Sequence, residues 1–109
     1  MTGLDLPEGA PVILYLHSPK ERVWGLLLSL QPAGVVVRGL DLATFDDWMR
    51  QLARHEETVI GLTTVFYPMG RVERMERDET VGPLTSYADR FLREVGRTVG
   101  QVLGFDRSS

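Results

Sequence analysis

Pro11-Val12-Ile13-Leu14-Tyr15-Leu16, Val23-Trp24-Gly25-Leu26-Leu27-Leu28 and Val35-Val36-Val37 lie close together in residues 11–40. None shows the strict alternation of a strand with one wet face, so a sheet built from them needs cover on both faces. Ser18-Pro19-Lys20-Glu21 and Gln31-Pro32-Ala33-Gly34 separate the runs with turn residues, and Pro and Gly take the second and fourth positions of a type I turn in the latter. The pattern is a meander with short connections. Gly25, inside the second run, marks sharp bending or close backbone approach, as a small barrel requires.

After Gly39-Leu40-Asp41 the apolar period changes from two to about 3.6. Leu42, Phe45, Trp48, Met49 and Leu52 make one stripe, with Thr44 as N-cap, Asp46 and Asp47 at the positive end of the helix dipole, and Arg50 and Arg54 toward its negative end. This helix, about 44–55, is a candidate cover for the outer face of the sheet. Strand character resumes over 58–67 and, past Pro68-Met69-Gly70, over the charged segment Arg71-Val72-Glu73-Arg74-Met75-Glu76-Arg77. That segment reads either as an edge guarded by its charges or as an edge that pairs with another subunit through salt bridges.

A last amphipathic helix is expected over about 85–103, starting near Thr85 or Ser86, with Ala88, Phe91, Leu92, Val95, Val99, Val102 and Leu103 on one side. Gly96, Gly100 and Gly104 fall four apart, so they either line a groove for a second backbone or let the helix end fray. The expected fold is therefore mainly β with helices. It is a five-stranded, strongly bent small β-barrel formed by residues 11–38 and 58–77, with one helix inserted between strands three and four and one at the C-terminal end. All 109 residues read as a single domain.

Composition narrows the function classes. Twelve Lys and Arg against fifteen Asp and Glu leave a net charge of -3, so no whole-molecule positive field gathers nucleic acid. The absence of cysteine removes disulfides, thiol nucleophiles and thiolate zinc sites. The N-terminal stretch Met1 to Glu8 carries acids where a signal peptide needs basic residues, and no run reaches membrane-spanning length, so a cytoplasmic protein without a membrane partner is expected.

Chemistry-bearing patterns are sparse. His17 and His55 stand alone, Asp46-Asp47 and Glu56-Glu57 are adjacent pairs that diverge, and Ser18, Ser29 and Ser86 fit no nucleophile elbow. No enzyme activity, cofactor, metal site or small-molecule substrate is expected. The best candidate nucleic-acid patch combines Lys20, Arg22 and Arg38 with Tyr15 and Trp24, because cations track phosphates while aromatic faces stack on bases. Packing of Tyr15 and Trp24 against a helix is the competing reading. The candidate self-association surface comprises Trp48, Arg71, Glu73, Arg74, Gly96 and Gly100.

Two segments resemble the Sm-like small β-barrels, the family of Sm and Hfq proteins. Val12, Leu14 and Leu16, then Gly25 with Leu27 and Leu30, then the Gln31-Gly34 turn before Val35 and Val37, are similar to the first family motif. Val65 to Met75 is similar to the second, in which a tight turn joins two short strands. The resemblance implies a five-stranded barrel and a self-associating module. It also places uridine contacts at Gln31 and Gly34 and near Pro68 and Met69, where the family's acid, asparagine and charged donors are missing. The expected function is accordingly a non-catalytic, self-associating binding or scaffold module, a homo-oligomer with an RNA or protein partner, and the alternative is an RNA-binding regulator.

Overall fold

The computed structural model describes residues 6–55 and 61–103. Five antiparallel strands form one sheet: β1 (Pro11–Leu16), β2 (Glu21–Gln31), β3 (Gly34–Asp41), β4 (Thr63–Pro68) and β5 (Val72–Arg77). Their order across the sheet is β4-β3-β2-β1-β5. Helix α1 (Phe45–Ala53) follows a 3-10 turn at Leu42–Thr44, and α2 (Tyr87–Val95) and α3 (Val99–Leu103) follow β5. Residues 58–60 of the expected fourth strand lie outside the described residues.

The doubly apolar strands do bury both faces. One face holds Val12, Leu14, Leu16, Val23, Leu27, Val35 and Val37, with Tyr67 of β4 and Val72 and Met75 of β5 packed on the same cluster. The two edge strands thus meet one core, which requires the sheet to curl over its own inner face. The opposite face presents Ile13, Trp24, Leu26 and Leu40 to Phe45, Trp48 and Met49 of α1, Phe91 of α2 and Val99 of α3. Phe45 is the hub, with ring centroids 5.0 Å from Trp24, 5.7 Å from Trp48, 5.2 Å from Tyr87 and 6.3 Å from Phe91. Truncating a ring buried this completely costs about 3–5 kcal/mol.

The bend lies where Gly25 of β2 sits opposite Gly39 of β3. A Cβ on Gly25 would meet the Arg38 carbonyl oxygen at 2.9 Å, and one on Gly39 would meet the Trp24 carbonyl oxygen at 2.3 Å. Side chains at either position would force the strands apart. Despite this curvature the sheet does not close into the expected barrel, for no ladder joins β4 to β5 among the described residues.

A second correction concerns the C-terminal segment, which is two helices rather than one. Ser86 caps α2 by accepting from the Asp89 N–H at 3.0 Å. Gly96 ends it with φ +83, the left-handed conformation that glycine adopts without steric cost. Gly96 is therefore a helix stop and does not share a continuous groove with Gly100 of α3, while Gly104 lies outside the described residues. At α1, Thr44 occupies the N-cap position without capping; its hydroxyl donates to the Asp41 carbonyl at 2.9 Å, and the Asp41 side chain accepts from Ala43 N–H at 3.1 Å. No helix among the described residues is long and apolar enough to cross a membrane.

Candidate functional site

Antiparallel register puts Tyr15 between Arg22 of β2 and Arg74 of β5. The three residues lie on the outer face in the row next to Ile13 and Trp24, and partly buried Tyr15 packs against the margin of the helix-covered core. The Arg74 guanidinium carbon stands 4.2 Å from the Tyr15 ring centroid, and the phenol donates to Glu76 Oε1 at 3.1 Å. Arg74 also pairs with Glu76 at 3.1 Å. Tyr15, Lys20, Arg22 and Arg74 share a cleft of about 680 Å³ with Glu21, Asp41 and Glu73. Three cations thus face three carboxylates, and the cleft is charge-balanced.

The other two members of the expected nucleic-acid patch are elsewhere. Trp24 is wholly buried, and its indole N–H donates to Asp78 Oδ2 at 3.0 Å, so its ring is unavailable for stacking on a base. Arg38 pairs with Leu26 and Thr64, and the buried row Leu40-Trp24-Ile13 separates it from Arg22. The structure therefore joins Tyr15, Lys20 and Arg22, adds Arg74, and leaves out Trp24 and Arg38.

Of the expected self-association residues, Trp48 packs inside the chain's own core, 4.8 Å from the Phe91 ring. Arg71 is a clamp within the chain: its guanidinium donates to the His17 carbonyl at 3.2 Å and the Pro19 carbonyl at 2.8 Å, and lies 3.6 Å from Glu21. Gly100 lines a cleft of about 510 Å³ with Pro11, Trp24, Leu26, Leu92 and Val99. Glu73 and Arg74 remain exposed on β5, which is an edge strand.

The opposite edge carries a surface that composition did not single out. The Met69 N–H donates to the Ala33 carbonyl at 2.9 Å, extending the β3–β4 ladder by one pair. By alternation, Thr63, Val65 and Tyr67 turn their backbone groups toward β3, and Thr64 and Phe66 turn theirs outward. Phe66 is 52% exposed, and Leu30 and Met69 are exposed at the same end of the sheet. Phe66 was hidden in the sequence because a strand of Thr, Val, Phe and Tyr reads alike at an edge or in the middle.

His17 is exposed, with Nδ1 3.3 Å from Ser18 Oγ, and His55 is exposed beyond the end of α1 with φ +59. No group of three His, Asp or Glu side chains suited to a metal ion occurs among the described residues. Compared with protein-family models, curated proteins and solved structures, the chain matches none of them.

Proposed function

We propose that this chain is a non-catalytic module of the cytoplasm that works by self-association, built on an open, strongly bent five-stranded sheet whose element order is of Sm-like type. The observation that carries the reading is the open sheet: among the described residues no ladder pairs β4 with β5, which leaves two strand edges on one small domain. An unpaired edge presents a row of N–H and C=O groups and is a template for another chain. Exposed Phe66 and Met69 add apolar surface beside one of these edges. The element order of β1 to β5 and the curl at Gly25 and Gly39 support the Sm-like comparison.

Light scattering over micromolar concentrations tests the proposal. A mass above that of one chain, rising with concentration, is the expected result, and a monomer throughout would end this reading. The RNA-binding alternative draws on the Tyr15, Lys20, Arg22 and Arg74 cleft. Its three carboxylates weigh against a polyphosphate, and salt-dependent binding to uridine-rich or adenine-rich oligonucleotides is the result that would favour it.

A further inference from the structure

Resting on the self-association reading, we infer that the chain pairs with a second copy of itself along β4, edge to edge across a twofold axis, and that β5 takes no part. The two edges of the sheet are built differently. In β5 four of six residues are charged (Glu73, Arg74, Glu76 and Arg77), and a register shift opposite Tyr15 and Leu16 breaks the ladder at Glu73. Charge and irregular pairing are the devices by which sheets prevent edge association. Arg71, just before β5, is also held by His17 and Pro19 of its own chain.

The β4 edge has none of these guards except a terminal proline. Thr63-Thr64-Val65-Phe66-Tyr67-Pro68 contains no charge and pairs with β3 without a register shift. An uncharged strand meets its own copy without like-charge repulsion, whereas β5 against β5 would have to match Arg and Glu in register. A twofold axis closes the assembly at two chains; joining β4 to the β5 of another copy would repeat head to tail.

The outward backbone groups restrict the register to pairs centred on Thr64 or Phe66. Opposed residues in an antiparallel pair must point to the same face, so the twofold axis has to run midway between a residue of β4 and the same residue of the copy. Placing it at Phe66 opposes that residue to the partner's Phe66, and their N–H and C=O groups exchange hydrogen bonds. The Thr64 N–H then reaches the carbonyl of the partner's Pro68, a residue whose lack of an N–H does not affect its acceptor. Each Phe66 ring lies over Gly34 of its own β3 and stays half exposed, so the two rings flank the seam on the outer face and the backbone bonds carry the pairing.

Three measurements on the intact chain decide it. Light scattering should plateau at two copies, and Thr64→Lys, an exposed change, should weaken association at least about tenfold, the factor equivalent to 1.4 kcal/mol, with the circular dichroism spectrum unchanged. Glu73→Ala in β5 should leave association as it was. Because the chain has no cysteine, Phe66→Cys introduces a single thiol. Opposed Cα atoms in a hydrogen-bonded pair stand about 5.5 Å apart, within disulfide reach, so this variant should cross-link to a covalent dimer under mild oxidation, and Leu92→Cys should not. A plateau above two copies, association unmoved by Thr64→Lys, or equal cross-linking by both thiols would overturn the β4 pairing while leaving self-association standing. A monomer at every concentration would remove both.

Discussion

The Trp24 indole N–H donates to Asp78 Oδ2 at 3.0 Å, linking the middle of β2 to the residue that follows β5. The same carboxylate accepts from the backbone N–H groups of Tyr87 and Ala88, each at 2.9 Å. Those two donors belong to the first turn of α2, which has no partners of its own for them. Asp78 is itself buried, so one side chain ties the sheet, the end of β5 and the helix layer together.

Asp78→Ala should therefore destabilise the fold by about 3 kcal/mol, because three donors in a buried site lose their acceptor. Asp78→Asn should cost about 2 kcal/mol, since an amide offers one acceptor oxygen and turns an N–H toward the remaining donors. Glu79→Ala, at the exposed neighbour, should stay within about 0.5 kcal/mol of the parent in urea unfolding. Equal midpoints for the Ala variants at 78 and 79 would contradict the role given to Asp78.

Gly39 sets the second prediction. With the Trp24 carbonyl oxygen 2.3 Å from the position of an added Cβ, Gly39→Ala must open the β2–β3 ladder at its bend, at a cost of about 3 kcal/mol. Gly70→Ala is the matched control. Nothing lies within 4 Å of a Cβ there, so the loss of unfolded-state freedom should make that variant neutral or more stable by about 0.4–1 kcal/mol. Thermal unfolding of the pair separates crowding at the bend from a general intolerance of alanine for glycine.

That bend was half legible in the sequence. Gly25 stood out within its strand, but its partner did not, because the tight turn places Gln31 opposite Gly34 and regular pairing from there would set Leu40 against Gly25. The register shift between Leu27 and Ser29 brings Gly39 to that place, and no local signal marks it. The double cover of the sheet was readable for the opposite reason, since apolar residues at consecutive positions leave no face for water. The break at Gly96 was concealed by apolar spacing that continues through Val95, Val99 and Val102 as if the helix did. Asp78 gave no warning either. It stands in the charged run Arg77-Asp78-Glu79, and its indole partner is 54 residues away.

Arg71 supports a third prediction. Its guanidinium holds the β1–β2 connection through the carbonyls of His17 and Pro19. Arg71→Ala should cost about 1–2 kcal/mol, as two hydrogen bonds from a charged donor at an exposed site are lost. Hydrogen exchange should quicken at the amide of His17, which donates to the Arg71 carbonyl at 3.0 Å. Unchanged protection at His17 would show that this connection is held by other means.

Tyr67 makes stability fall at alkaline pH. Burial at the edge of the inner core raises its phenol above the ordinary 10.0, and the Glu21 carboxylate adds to the shift, since both disfavour a phenolate; Arg71 opposes them. Above pH 10 the unfolded chain releases this proton while the folded chain keeps it, so the unfolded state binds fewer protons and stability falls as pH rises. The contribution is complete below the ordinary value and lost through the folded one. Tyr67→Phe removes the ionisation, and its unfolding free energy should decline less than the parent's between pH 10 and the raised value. Parallel decline in the two chains would mean that the phenol titrates without coupling to the fold.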